Sequence, residues 1–304
     1  MNLVMMGTGG VGGYFGAKLA RSGARVTFVA RGAHLAAIRE RGLTVRSATG
    51  GEFTVRATAV ERLAGQPPAD AVLLCVKSFD TEPAVEAIRP VIGPETAVLS
   101  LQNGIDNEEK IDAALGLGHA VGGVAYVFAT IEGPGVISHT QGGRIVLGEL
   151  DGRPRPRTTA LLEAFTRAGI PAEIAPDIRR ALWEKYVVIT AQAGMTALTR
   201  KPIGVIRATP ETWTMYRRLL EELAALAEAE KVGLAPGAVD RMLTGVGGLK
   251  PDTTSSMYFD LTHDKRLELE ALHGHAVRLG ERHGLPVPMC FAVYAALKPS
   301  MRPA

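Results

Sequence analysis

The chain has 304 residues, which is long enough for two domains of ordinary size. Its hydrophobic share of 46% and charged share of 21% exclude a disordered or fibrous protein. The net charge of +3, carried by scattered basic residues, argues against a nucleic-acid groove, and two cysteines are too few for a disulfide framework or a thiolate metal site.

The start of the chain reads as a strand and not as a signal peptide, because Met1 to Met6 lack a basic flank and run straight into glycines. No apolar stretch reaches the roughly 20 residues that a membrane-crossing helix needs. We therefore expect a soluble, cytoplasmic protein with no membrane partner.

The first half of the chain alternates strand and helix patterns. Strands are predicted at residues 2–6, 25–30, 43–46, 53–57, 71–76, 97–101, 120–130, 143–147 and 170–174, and helices at 14–21, 34–41, 107–115 and 157–168. We expect the sheet to end near Gly148, and residues 170–174 to form a further short strand. Such alternation predicts an α/β fold with a Rossmann-type, doubly wound and largely parallel sheet.

The second half has helical periodicity nearly throughout, with helices predicted at residues 177–199, 210–231, 267–283 and 289–298. Prolines and glycines separate these helices. The sequence therefore predicts a dinucleotide-binding domain at 1–176 and an all-helical substrate domain at 177–304.

A glycine-rich segment lies between the first predicted strand and the first predicted helix. Its six residues match the dinucleotide-binding fingerprint: Gly7, Thr8, Gly9, Gly10, Val11 and Gly12. Gly7 would permit the tight turn, Gly9 a close approach of the pyrophosphate, and Gly12 close packing of helix on strand. An ordinary glycine-rich turn is the alternative, but the strand, helix and second strand around the segment favour dinucleotide binding.

Arg31 follows the second predicted strand, where a carboxylate would hold the ribose hydroxyls of NAD. Its guanidinium can instead pair with the extra phosphate of NADP. Although Arg31 could be a solvated surface residue, the sequence favours NADP as the cofactor.

Two further segments, Val76-Lys77-Ser78 and Gln102-Asn103-Gly104, come at the ends of predicted strands, on the side where doubly wound sheets bind ligands, and their polar side chains are expected to project over the cofactor. Each could also be ordinary turn chemistry. Lys185 and Glu268, taken alone, would read as surface charges on predicted helices.

Several motifs together are more specific than any one of them. They are the opening fingerprint, Arg31, Cys75-Val76-Lys77-Ser78, Leu101-Gln102-Asn103-Gly104, the segment from Glu132-Gly133-Pro134-Gly135 through His139 to Gly148-Glu149, Trp183-Glu184-Lys185, Thr196-Ala197-Leu198, Ser255-Ser256-Met257 with Asp260, and Glu268 followed by Gly274. In these motifs nearly the whole chain resembles the ketopantoate reductase family, which reduces 2-dehydropantoate to pantoate with NADPH in the pathway to pantothenate.

The resemblance implies that Lys185 donates a proton and that Glu268 and Ser256 help to hold the substrate and the lysine. It also implies that Lys77 and Asn103 lie near the nicotinamide and the substrate. The chemistry is sound in itself, because hydride addition to a ketone leaves an alkoxide that an ammonium can stabilise and protonate.

The chain departs from the family's pattern on the lysine helix. Family members commonly carry asparagines four and eight residues after the lysine, whereas this chain has Ile189 and Ala193 there. The polar residues Thr190 and Gln192 lie off that helical face. A more apolar pocket follows, so a different 2-oxo acid or related carbonyl compound is the alternative substrate.

Two other interpretations were weighed. β-Hydroxyacid dehydrogenases also use a helix lysine but usually carry an asparagine four residues later, and a non-catalytic NADP-binding sensor would need neither Lys185 nor Glu268. His263, His273 and His275 are spaced too irregularly for a metal site, so no metal is expected. The apolar surface of the helical domain is compatible with a homodimer, and the two domains are expected to close during reduction.

Overall fold

The computed structural model describes residues 1–301, which divide into two units. The first unit contains residues 1–102 and 106–181, and the second contains residues 103–105 and the chain from Leu182 onward. The last three residues of the predicted helical domain, 302–304, lie outside the described part.

Ten strands of the first unit form one sheet in the order β4-β3-β9-β8-β7-β6-β1-β2-β5, with β10 paired to β9. Their bounds are β1 Asn2–Met6, β2 Arg25–Val29, β3 Leu43–Ser47, β4 Gly51–Val55, β5 Thr58–Val60, β6 Ala71–Leu74, β7 Ala97–Ser100, β8 Ala120–Gly133, β9 Val136–Gly148 and β10 Ala172–Ile174. All neighbouring pairs are parallel except β3 with β4 and β8 with β9.

Helices cover both faces of this sheet. They are α1 Gly10–Arg21, α2 Gly32–Arg41, α3 Thr81–Ile88, α4 Asn107–Leu115 and α5 Pro156–Arg167. Alternate residues of β1 enter two different cores: Leu3 and Met5 pack with residues of α1 and α5, whereas Val4 and Met6 pack with residues of α3 and α4. The predicted doubly wound α/β fold is confirmed.

The second unit is helical. Its helices are α6 Ile178–Thr199, whose first turn belongs to the first unit, α7 Ile203–Ala208, α8 Pro210–Ala229, α9 Ala238–Gly247, α10 Ser256–Thr262, a π-helix at Glu270–Gly274, α11 His275–His283 and α12 Pro288–Leu297. A separate apolar core, which includes Trp183, Tyr186 and Tyr216, joins them. None of the described helices is long and apolar enough to span a bilayer.

Two details of the sequence interpretation are wrong. The sheet does not end at Gly148, because β10 pairs in parallel with β9 through Ala172–Ile145 and its neighbours. The helix predicted at 267–283 is not one α-helix: a π-helix begins at Glu270 and the α-helix only at His275. Glu268 therefore lies ahead of the helical turn and not on a helix surface.

Candidate functional site

The glycine-rich loop connects β1 to α1, and close contacts around the loop require glycine at Gly7 and Gly12. Gly7 has a φ of +96°, and a Cβ there would lie 2.8 Å from Cγ1 of Val76. A Cβ at Gly12 would lie 2.1 Å from the carbonyl oxygen of Gly7. Side chains at these positions would push the loop away from β6 and from the start of α1.

Gly9 differs from these two glycines, since a Cβ there would meet no atom of the described residues within 4 Å. Its backbone is thus open to a ligand, next to the first turn of α1, which contains no acidic residue. Unpaired amides at a helix start suit a phosphate. The loop therefore fits the pyrophosphate of a dinucleotide.

Thr8 anchors the loop and is buried. Both its amide nitrogen, at 3.0 Å, and its Oγ1, at 2.9 Å, donate to the carbonyl oxygen of Val29 at the end of β2. Gly10 is a third glycine that a close contact requires, because a Cβ there would lie 1.9 Å from the carbonyl oxygen of Ala129 in β8. Val11, on the first turn of α1, is half-buried.

Arg31 is exposed and is the N-cap residue of α2. The sequence analysis missed a second arginine at this edge of the sheet. Strand β5 lies parallel to β2, and the amide of Ala30 donates to the carbonyl oxygen of Val60 at 3.1 Å. The exposed Arg62 therefore follows the end of β5 beside the end of β2. Two guanidiniums that follow the ends of neighbouring strands can pair with a phosphate.

Lys77 is half-buried and directly precedes a 3₁₀ turn at Ser78–Asp80, after β6. Gln102, whose side chain the sequence predicts to project over the cofactor, is buried and holds this segment in place. Its Nε2 donates to the carbonyl oxygen of Val76 at 3.0 Å and to Oγ1 of Thr81 at 2.8 Å. Gln102 thereby joins the segments that follow β6 and β7.

Within the second unit, Lys185, Glu268 and Asn103 come together. Lys185 is half-buried on α6, Glu268 is buried, and Nδ2 of Asn103 donates to Oε2 of Glu268 at 3.4 Å. Removal of water from around the ammonium lowers the pKa of Lys185 to about 8, while the Glu268 carboxylate acts in the opposite direction. The arrangement can give a proton to an oxygen near neutral pH.

Ser256 is exposed on the first turn of α10, and among the described contacts it is Ser255 that ties this helix to α6. Oγ of Ser255 accepts from the amide of Tyr258 at 3.0 Å and lies 2.7 Å from Oγ1 of Thr196. Ser255, and not Ser256, is thus the serine that contacts α6 among the described hydrogen bonds.

The face of α6 that carries Lys185 continues with Ile189 and Ala193, and we call these three residues the lysine stripe. Ile189 is half-buried and Ala193 is buried, and neither side chain can form a hydrogen bond. Gln192 points elsewhere, because its Oε1 accepts from the hydroxyl of Tyr216 at 3.1 Å. The part of the stripe beyond Lys185 is therefore apolar.

Across residues 1–301, no group of three or more histidine, cysteine, aspartate or glutamate side chains is arranged to hold a metal ion.

Comparison with known proteins gives one consistent family. The family model described as ketopantoate reductase PanE/ApbA matches residues 3–152, and its C-terminal counterpart matches residues 177–300. A 2-dehydropantoate 2-reductase of Mesorhizobium japonicum is 33% identical over 98% of this chain and 97% of its own length, and one of Halobacterium salinarum is 31% identical over 95% of each. The crystal structure of 2-dehydropantoate 2-reductase from Geobacter metallireducens is 32% identical, with a TM-score of 0.92 over 99% of this chain and 100% of that one.

Proposed function

Because the chain belongs to the ketopantoate reductase family of oxidoreductases acting on a CH–OH group, we propose that it reduces 2-dehydropantoate to pantoate with NADPH. This reaction would serve the pathway to pantothenate. The names of the relatives at 31% and 33% identity support the substrate. The observation that carries the proposal is the half-buried Lys185 within the influence of the buried Glu268.

The family uses a nicotinamide dinucleotide, and we propose that the glycine-rich loop of the first unit binds its pyrophosphate. The open backbone at Gly9 and the start of α1 suit this group. Arg31, together with Arg62, favours NADP over NAD, since segment 30–32 contains no carboxylate that would hold the ribose hydroxyls. Bound NADPH supplies the hydride.

Lys185 has the proposed role of proton donor. With a pKa of about 8 its amine is mostly protonated at neutral pH, so it can stabilise the negative charge that develops on the substrate oxygen and then protonate it. The neutral amine regains its proton from solvent, to which the side chain is partly open. Glu268, which accepts from Asn103, keeps the lysine in its charged form.

A second candidate substrate is a 2-oxo acid with a more apolar side chain. The observation that favours it is the apolar end of the lysine stripe, where Ile189 and Ala193 offer no partner to a substrate hydroxyl. A hydroxyl buried without its partner costs about 1–3 kcal/mol, or roughly one to two decades in affinity.

The test is to follow the absorbance of the reduced nicotinamide while the protein turns over 2-dehydropantoate, with apolar 2-oxo acids and NADH in parallel. We expect NADPH oxidation with 2-dehydropantoate, its loss in Lys185→Ala, and its retention in Lys201→Ala, a change at an exposed lysine beyond the end of α6. A preference for an apolar 2-oxo acid would replace the substrate and keep the mechanism. Near-normal turnover by Lys185→Ala would refute the proton donor.

We also propose that the protein acts in the cytoplasm. The support is that Cys75 and Cys290 are both free thiols, as a reducing compartment allows.

A further inference from the structure

His273, in the π-helix, is completely buried against the lysine helix α6. Its ring occupies space that a side chain on α6 would fill: a Cβ at Gly194 would lie 2.3 Å from Nε2 of His273 and 2.9 Å from Cγ1 of Val293. Neither ring nitrogen has a hydrogen-bond partner within residues 1–301. The imidazole therefore contributes by packing and not by hydrogen bonding, and this packing requires a glycine at position 194.

Gly194 belongs to a second stripe on α6, formed by Tyr186, Thr190 and Gly194 at intervals of four residues, which we call the tyrosine stripe. The π-helix contacts both ends of this stripe, because the hydroxyl of Tyr186 donates to the carbonyl oxygen of Leu272 at 2.6 Å. Positions 186 and 194 are about 12 Å apart along the axis of α6. The two contacts fix the π-helix on the helix that carries Lys185.

The tyrosine stripe is offset by one residue, or about 100° around the helix, from the lysine stripe. Glu268 lies two residues before the π-helix and belongs to the same hydrogen-bonded segment. The amide of Leu272 donates to the carbonyl oxygen of Glu268 at 3.2 Å, and that of Gly274 to the carbonyl oxygen of Leu269 at 2.9 Å. The position of the π-helix on the tyrosine stripe thus determines where the Glu268 backbone lies relative to Lys185.

We propose that Gly194 and His273 are positioning residues, which hold the π-helix on α6 so that the Glu268 carboxylate stays within reach of the Lys185 ammonium. This inference rests on the proposed function, in which Lys185 is the proton donor. It also accounts for a glycine inside a helix of 22 residues, where alanine would otherwise be more favourable. The rare π-helical turn has the same explanation, since it brings the imidazole over Gly194.

Other titratable groups surround this contact. The ring of His275 packs edge-on against Tyr186 with centroids 6.3 Å apart, and Oε1 of Glu270 accepts from the hydroxyl of Tyr294 at 2.8 Å. The influences that set the pKa of Lys185 are its burial and Glu268. A displacement of Glu268 should therefore be visible in the titration of this lysine.

The test is Gly194→Ala, with the titration of Lys185 followed by NMR of labelled lysine and compared with the pH profile of turnover. The added Cβ must displace the ring, so we expect the pKa of Lys185 to fall by about one unit from its native value. We expect kcat to fall roughly tenfold to a hundredfold, because small displacements in a catalytic site have effects of this size.

Two further variants separate positioning from a general loss of folding. His273→Ala removes the ring that packs over Gly194 and should lower the pKa of Lys185 in the same direction as Gly194→Ala. Gly245→Ala lies in α9 of the same unit, and its added Cβ would have no atom of the described residues within 4 Å. This variant should leave both the Lys185 titration and kcat unchanged.

A folded Gly194→Ala protein with a native Lys185 titration would overturn the inference, as would a folded His273→Ala protein with a native Lys185 titration. The proposed function fails separately, through absence of turnover of any 2-oxo acid or through an active Lys185→Ala enzyme. The NMR titration decides the positioning role in either case, because it needs no substrate.

Discussion

Two opposing influences act on the ammonium of Lys185. Burial lowers its pKa to about 8, and the negative charge of Glu268 limits that fall. The protonated lysine is the proposed donor, so reduction should be fastest below the pKa and should decline as the pH rises through it. The balance between these influences therefore determines the working pH range of the enzyme.

Glu268→Gln tests this balance at the level of one side chain. Without the carboxylate the pKa of Lys185 should fall further, so the alkaline limb of kcat/KM should move to lower pH by about one unit. The measurement is the pH profile of NADPH oxidation, with the exposed Glu281→Gln as the control. An unchanged limb in Glu268→Gln would show that the carboxylate does not act on the lysine.

Arg31 and Arg62 provide a prediction about cofactor choice. Strands β2 and β5 are parallel neighbours, and one arginine follows the end of each. Each guanidinium should contribute a charged hydrogen bond to the extra phosphate of NADP. Arg31→Gln and Arg62→Gln should each raise the KM for NADPH about tenfold and leave the KM for NADH nearly unchanged. Arg25→Gln, at the opposite end of β2, is the control. An equal effect on both cofactors would contradict this assignment.

At the scale of elements, a buried carboxylate connects the end of β9 to the start of α5. Glu149 is buried, and its Oε2 lies 2.5 Å from nitrogens of both Arg155 and Arg157. The side chain of Arg157 is only 14% exposed, so a charge left there without its partner is costly. The network therefore contributes to stability more than a surface ion pair would.

Glu149→Ala should lower the free energy of unfolding by about 3 kcal/mol, because it leaves the largely buried Arg157 without its carboxylate, whereas Arg155 keeps its ion pair with Asp151. Glu163→Ala breaks the exposed pair with Arg167, 3.6 Å apart, and should cost less than about 0.5 kcal/mol. Urea denaturation of both variants is the measurement. Similar losses of unfolding free energy in the two variants would show that the Glu149 network stabilises the protein no more than a surface ion pair does.

The elements also differ in how far the sequence could predict them. Strand β1, the glycine-rich loop and α1 follow from local periodicity and from glycines that local geometry requires, such as Gly7. The π-helix could not be predicted, because residues 267–283 have ordinary helical spacing and the glycine that His273 packs against, Gly194, is distant in the sequence. The bond from Asn103 to Glu268 spans 165 residues, so only the family resemblance could suggest that they meet.

At the scale of the whole molecule, each unit has its own apolar core and its own part of the proposed chemistry. The glycine-rich loop and Arg31 belong to the first unit, and Lys185 and Glu268 to the second. The homodimer stays a prediction.

Ligand binding to the glycine-rich loop gives a thermodynamic test of the cofactor assignment that requires no turnover.

NADPH at about 100 times its dissociation constant should stabilise the folded protein by about 2.7 kcal/mol, and NADH at the same concentration by less. Gly9→Val should abolish this gain without changing the unliganded stability, since the position is open to ligand and free of protein contacts within 4 Å in the described chain. Gly12→Ala should do the reverse and destabilise the unliganded protein, because its Cβ would lie 2.1 Å from the oxygen of Gly7. Calorimetry of the native protein, Gly9→Val and Gly12→Ala, each with and without NADPH, separates a ligand-binding glycine from a packing glycine. If NADPH still stabilised Gly9→Val, the pyrophosphate would have to bind elsewhere.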